Sequence, residues 1–314
     1  MLYMQTLTAE ETHDLLPYPA LADYLLSMLA DKKAGTAYAP ERVAMPLARG
    51  GTLLLMPATD GQFAVTKLVT VHPGNASAGL PSVQADVLVM DAATGKRLAM
   101  LDGGAVTARR TAALSLLAAR LLAPRSSGSL LMVGAGTQAR AHLEAFCEGL
   151  DIDKVYVTSK NMAHAEGFAA YARTLNRQAE AVSRPEEALE KVSFVVTATT
   201  SVEPVLPDSV RADAFVAAVG AYRPDMAELP PQLVQRARLY VDTLEGARVE
   251  AGDLIRAGID WTQVTPLEDA LDIPGGQGGT VVFKSVGHAL WDLAAARLAW
   301  SKLSAPYQEG ESCH

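Results

Sequence analysis

The feature that most constrains this chain is the run SLLMVGAGTQA at 129–139, where an apolar strand pattern enters Gly134, Ala135, Gly136, Thr137, Gln138 and Ala139 and a helical pattern leaves. A first glycine permits a tight turn, a second lets backbone approach a pyrophosphate, and a small third residue lets the helix pack closely on its sheet. Gly134, Gly136 and Ala139 hold those places. The helix start then turns unpaired N–H groups and the positive end of its dipole toward the phosphates. The spacing predicts a dinucleotide-binding loop with Gly134 and Gly136 as contacts; its bland alternative is a tight βα turn without a ligand.

A second strand pattern, KVYVTS, ends about 20 residues beyond the loop, where an NAD-specific site would place Asp or Glu on the ribose 2′-hydroxyl. This chain has Thr158, Ser159, Lys160 and Asn161 there, and no acid. A hydroxyl and a cation accept a 2′-phosphate that an aspartate would repel. Ser159, Lys160 and Asn161 are therefore candidate cofactor residues, and NADPH is expected over NADH, which stays possible if Lys160 is only a solvated turn lysine.

Strand and helix signals alternate from SLLMVG through helices near 138–148 and 163–175, the weak strand AEAVS, a short helix, SFVVTATT, AFVAAVG and RLYVD. Such alternation predicts an α/β fold with a doubly wound parallel sheet. The flanks read differently. Apolar spacing predicts a helix over 20–33, and short apolar runs broken by Gly, Pro, Asn and Asp predict a largely antiparallel sheet over 42–101. ATGK at 93–96 is read as its hairpin turn, because Met90 and Arg97 stand where a phosphate loop needs Gly and Ser/Thr. A long helix is expected from Thr107 to Pro124, and a last one over 286–303 after the glycine loop PGGQGG and strand TVVF. That last helix is expected to return to the first region, since the α/β unit already has its strands.

Composition narrows the function classes. The chain has 314 residues, suggesting two domains, and its 27 Lys+Arg against 35 Asp+Glu give a net charge of −8. With no dense basic run, a nucleic-acid partner is not expected. No basic segment followed by an apolar one opens the sequence, and no apolar run of about 18 residues follows, so no membrane partner is expected. Two cysteines, Cys147 and Cys313, make no disulfide framework and fit a reducing cytoplasm. The six histidines form no HxxxH or HExxH pair, so no metal is expected, and the lack of GxSxG disfavours hydrolase chemistry.

LLMPA at 54–58, VTKLVTVHPGN at 65–75, TARRTAA at 107–113, VGAGTQA at 133–139 and VVFKSVGHALWDLAAA at 281–296, in that order, resemble the ornithine cyclodeaminase/μ-crystallin family from about Ala39 to Leu303. The resemblance implies a Rossmann-like sheet, over 121–283, inserted into an α+β substrate-binding and dimerisation domain made of 1–120 plus 284–314. It also implies a homodimer, a bound nicotinamide dinucleotide and a small imino or amino acid substrate.

Carried over by position, Arg42, Lys67 and Arg110 match the family's substrate-carboxylate cluster and Met56 a pocket position. Three cations gathered in an acidic chain need an anion, and guanidinium binds carboxylate bidentately. Ser82, Thr137, Gln138, Thr199, Val219, Ser285 and Val286 match positions lining the cofactor, though each has a packing-only alternative. Arg109 is read as structural or phosphate-facing.

Two departures bear on activity. Family cyclodeaminases carry acids where this chain has Leu54 and Tyr222, so both carboxylates expected to handle the ammonium groups of ornithine are missing; Asp225 and Glu228 are the nearby candidates to substitute for them, Glu228 being read rather as a loop-fixing residue. The expected function is NAD(P)H-dependent reduction of cyclic ketimines, pyrroline-2-carboxylate or piperideine-2-carboxylate, to L-proline or L-pipecolate, with Lys67 as catalytic proton donor. Its pKa is expected to be lowered by the surrounding cations. The alternatives are ornithine cyclodeamination and a non-catalytic NADPH and small-ligand binding protein.

Overall fold

A computed structural model describes residues 4–273 and 278–305. Most of the PGGQGG loop, Cys313 and His314 lie outside the described residues.

β1 (Gln5–Thr6) and α1 (Ala9–Asp14) precede α2 (Tyr18–Ala34), which buries Tyr18, Leu21, Leu25, Met28 and Leu29 on one side. β2 (Val43–Pro46), β3 (Thr52–Thr59), β4 (Phe63–Val71), β5 (Val83–Asp91) and β6 (Arg97–Asp102) follow as an antiparallel meander, with β1 added parallel to β6. The ATGK segment is the β5–β6 turn, held by Asp91 Oδ1 accepting from Thr94 N and Oγ1. Side chains alternate across the pleat. Met56, Val65, Lys67, Val69, Val87 and Val89 face inward, while Leu55, Leu68, Leu88 and Met100 lie on the less buried side.

α3 (Gly103–Leu122) starts four residues before the expected Thr107, because Asp102 caps it by accepting from Ala105 N. It is buried nearly all round, which its Ala/Leu composition allows: one side packs on β5 of the first sheet, and its end reaches the second.

The second sheet holds β7 (Ser127–Val133), β8 (Asp151–Thr158), β9 (Gln178–Ala181), β10 (Val192–Thr197), β11 (Phe215–Ala218), β12 (Arg238–Val241), β13 (Val264–Pro266) and β14 (Val281–Lys284), all parallel. α4 (Thr137–Gly149), α5 (Met162–Thr174), α6 (Glu186–Leu189), α7 (Pro231–Arg236), α8 (Leu244–Glu250) and α9 (Gly252–Ala257) connect them. Strand order is β9-β8-β7-β10-β11-β14-β12-β13, doubly wound with its direction reversing between β7 and β10. Both faces are covered, so strands such as VSFVVT are apolar throughout rather than alternating. Ligands of such sheets bind at the reversal, beyond the carboxyl ends of the strands.

Lys284, placed with the flanking segments in the expected division, is the last residue of β14 and pairs with the parallel sheet. α10 (Ala289–Leu303) leaves that sheet and packs against α2, α3, β3 and β4. Its alanines at 294–296 are fully buried, letting the helix lie close on its neighbours.

Candidate active site

The glycine loop follows β7 at the reversal point. Gly134 has φ +111°, a conformation side chains disfavour, and a Cβ there would stand 2.6 Å from Ala198 O. Gly136, the N-cap of α4, has nothing within 4 Å of a Cβ position and makes no side-chain cap. The first turn of α4 therefore faces open space with its N–H groups uncapped by a side chain, and buried Gln138 Oε1 has no hydrogen-bond partner. This cradle fits a pyrophosphate. Gly134 N donates to Thr158 O at 2.9 Å, which brings half-buried Ser159 and exposed Lys160 beside the loop. Asn161 is partly committed elsewhere: its Oδ1 caps α5 by accepting from Ala163 N.

The cation strip lies on the first sheet. Met56 and Lys67 are ladder partners on β3 and β4, Leu54 shares their face, and Arg42 immediately precedes β2. Arg110 comes from α3. The segment after β14 joins the two halves. Asp242, buried at the end of β12, accepts from Ser285 Oγ, Val286 N and Gly287 N through one oxygen. Gly287, at φ +89°, has its carbonyl accepting from Arg42 Nη2 at 3.0 Å, and a Cβ on it would stand 3.1 Å from Arg110 Nη2. Both arginines thus converge on one residue of the segment that connects the parallel sheet to α10.

A cavity of about 540 Å³ opens here, lined by Arg42, Met56, Lys32, Tyr38, Glu250 and His288 among others. Lys67 and Arg110 are buried and are not among its lining residues. Each cation already has an anion. Asp292 of α10 sits 2.8 Å from Lys67 Nζ and 3.2 Å from Arg110 Nε, and Glu250 of α8 sits 2.9 Å from Arg42 Nη2. Burial is the largest influence on Lys67 and brings its pKa to about 8; Asp292 opposes that fall, and Arg110 and Arg42 add to it. The expected lowering is present, but its main cause is desolvation rather than the neighbouring cations. Burial likewise lowers the His288 pKa and raises that of Glu250.

Residues 3–306 match the family model described as the ornithine cyclodeaminase/mu-crystallin family. The chain belongs to this family. It is 42% identical over 302 residues to Delta(1)-pyrroline-2-carboxylate reductase 1 of Burkholderia multivorans, covering 96% of each chain. Mouse ketimine reductase mu-crystallin is 36% identical, with 95% of this chain and 97% of that one covered. Among solved structures, Thermococcus litoralis Delta(1)-pyrroline-2-carboxylate reductase in complex with NADH and L-proline superimposes with a TM-score of 0.88 at 32% identity, covering 95% of this chain and 97% of that one.

Not every residue carried over from the family has a free side chain. The Thr199 hydroxyl donates to Glu228 and the Ser285 hydroxyl to Asp242, so both are engaged inside the protein. Val219 follows β11 and donates its N–H to Thr197 O; Val286 is held by Asp242. Ser82 lies in the loop entering β5, its carbonyl accepting from His72 N. Arg109 is structural: it stacks 3.5 Å over the Tyr18 ring and donates to Leu16 O, against a phosphate-facing role. Both nearby acids are engaged within the protein. Asp225 is exposed and paired with Arg223, and Glu228 accepts from Thr199 N and Oγ1, Gly220 N and Ala221 N. Exposed Tyr222 and apolar Leu54 supply no carboxylate.

Asp292, Glu250 and Asp242 were not singled out by the sequence. Asp292 left one signal: it is a lone acid in the apolar run ALWDLAAARLAW, where a buried charge requires a partner.

Proposed function

We propose that this chain is an NAD(P)H-dependent reductase of cyclic ketimine carboxylates, of the pyrroline-2-carboxylate and piperideine-2-carboxylate type, forming L-proline or L-pipecolate. The observation that carries the reading is that Arg42 and Arg110 converge on Gly287 at the cavity that Met56 also lines, so two guanidinium groups are placed together where one substrate carboxylate can bind. The acids that cyclodeaminases carry for the ammonium groups of ornithine are replaced here by Leu54 and Tyr222. The pyrroline-2-carboxylate reductase relatives and the Thermococcus complex with NADH and L-proline support the same class.

In this reading Gly134, Gly136, Thr137 and Gln138 hold the pyrophosphate, and Ser159 and Lys160 favour NADPH. When bound, the dinucleotide supplies a hydride. Arg42 and Arg110 anchor the carboxylate, and Met56 lines the ring pocket. The Lys67 ammonium passes a proton to the imine nitrogen, making the carbon a better hydride acceptor, and regains it from solvent. Purified protein should oxidise NADPH at 340 nm with either ketimine far faster than it releases ammonia from L-ornithine. Robust ornithine cyclodeamination would overturn the assignment, and NADPH binding without turnover of any ketimine would favour a storage protein.

The same proposal includes the division into a flanking substrate domain and an inserted dinucleotide domain, supported by α10 packing on the first sheet. It includes a homodimer, supported by the outward-facing Leu55, Leu68, Leu88 and Met100 of the first sheet, with Leu68 exposed. It also includes the cytoplasm, supported by Cys147 as a free, partly buried thiol. Among the described residues, no helix is long and apolar enough to cross a membrane. Light scattering of the purified protein checks the dimer.

A further inference from the structure

We propose that Asp292 is the positioning residue of the reduction: it holds the Lys67 amine in place and loaded with the proton that the imine nitrogen receives. The inference rests on the assignment of Lys67 above and adds a residue to it.

The geometry is specific. Lys67 and Asp292 are 225 positions apart, brought together because α10 packs on β4, and neither side chain is more than marginally exposed. An ammonium has three N–H groups to place. Lys67 gives one to Asp292 Oδ1 at 3.0 Å and one toward Thr107 Oγ1 at 3.3 Å. Asp292 Oδ2 lies nearer still, 2.8 Å from Nζ, so the carboxylate holds the ammonium from both oxygens. Oδ1 also accepts from Arg110 Nε at 3.2 Å, so one oxygen draws the proton donor and a carboxylate anchor together.

The electrostatics run the same way. Facing Lys67 are Asp292 from α10, Arg110 from α3 and Arg42 from the segment before β2, while its ladder partners Met56 and Val87 are apolar. Burial and two guanidinium groups all favour the neutral amine; Asp292 is the group that favours the ammonium. Asp292 lies in the first turn of α10, where the helix dipole favours a negative charge. His288, at the N-cap of the same helix, also feels the charge of Asp292, and burial keeps it toward the neutral form. A residue that only filled space would not need a carboxylate shared between two cations.

The test is the pH profile of kcat/KM for NADPH-dependent reduction of Δ1-pyrroline-2-carboxylate by the wild-type protein and by Lys67→Ala, Asp292→Asn and Asp292→Glu variants. In wild type the profile falls on the basic side as Lys67 loses its proton. Asp292→Asn should move that limb to lower pH by about one unit or more, and lower kcat at least about tenfold with a smaller change in KM. Lys67→Ala should remove the limb. A Lys67→Ala variant that keeps both rate and limb overturns the assignment of Lys67, and this inference with it. If Lys67→Ala loses the limb while Asp292→Asn keeps it at the wild-type pH, only the role of Asp292 is overturned. Should Asp292→Asn fail to fold, Asp292→Glu decides: the charge is retained but displaced by a methylene, so the limb should stay while kcat falls, and an undiminished kcat overturns the positioning role.

Discussion

Arg42 and Glu250 face each other at the cavity, Nη2 to Oε2 at 2.9 Å, one from the segment before β2 and the other from the last residue of α8. A substrate carboxylate that binds Arg42 must share the guanidinium with Glu250 or displace it. Burial raises the pKa of Glu250, and Arg42 offsets that only in part. Arg42→Lys keeps the charge but loses the planar fork, and should raise KM for the ketimine about tenfold with little change in kcat. Glu250→Gln frees Arg42 and should lower KM several-fold. Steady-state kinetics on both variants check this; a raised KM in Glu250→Gln would mean that the glutamate helps to hold substrate rather than compete with it.

In the proposed reading cofactor choice turns on Lys160, which follows the Thr158 whose carbonyl accepts from Gly134 N. NADPH should bind more tightly than NADH by about 1–3 kcal/mol, the scale of charge-assisted hydrogen bonds. Lys160→Asp should reverse the order. Fluorescence titration of both nucleotides measures it, and equal affinities in the unmutated protein would remove Lys160 from the site.

The parts of this molecule that are local in sequence were the legible ones. The βα turn at Gly134 declares itself because the tight turn and the close helix each demand a small residue at a fixed offset. The antiparallel meander declares itself over 42–101 through short apolar runs broken by Gly, Pro, Asn and Asp. Helix starts were less legible: α3 begins at Gly103 because the Asp102 side chain caps it, against the poor helix propensity of two glycines. Arg42, Lys67 and Arg110 were found through family resemblance, since nothing in their spacing brings them together. Their anions were not found at all. Asp292 meets Lys67 only when α10 folds back on β4, and Glu250 reaches Arg42 from the other half of the fold, so neither pairing leaves a periodic trace.

Glu228 illustrates a buried carboxylate whose work is to shape loops. Its Oε1 accepts from Thr199 N and Oγ1 and its Oε2 from Gly220 N and Ala221 N, joining the segments that leave β10 and β11. Burial raises its pKa, opposed by nearby Lys284. Glu228→Gln replaces one acceptor oxygen by an N–H₂ group that must face N–H donors. The expected cost is about 2–4 kcal/mol of stability, read from urea unfolding, together with weaker NADPH binding because both loops end at the strand termini beside the cofactor crevice. An unchanged urea midpoint would show that the loops are held by other contacts.

The last expectation concerns acid. His142 is fully buried between α3 and α4; its Nδ1 lies 2.7 Å from Gln138 O and its Nε2 3.0 Å from Ser115 Oγ. The carbonyl can only accept, so Nδ1 carries the proton and Nε2 accepts from the serine hydroxyl, an arrangement that suits the neutral ring. Burial lowers its pKa to about 4, partly opposed by the Gln138 carbonyl. In the unfolded chain the same ring takes a proton near its ordinary 6.5. Between these two values the unfolded state binds more protons than the folded one, so stability falls as pH falls through that window and the loss is complete below the lower value. The contribution is roughly 3 kcal/mol. His142→Gln, which cannot titrate, should flatten the dependence of unfolding free energy on pH between 6.5 and 4 by about that amount, whatever its own effect on stability at neutral pH. Denaturant melts at stepped pH values give the slope directly, and an identical slope in the variant would place the acid sensitivity of the fold elsewhere.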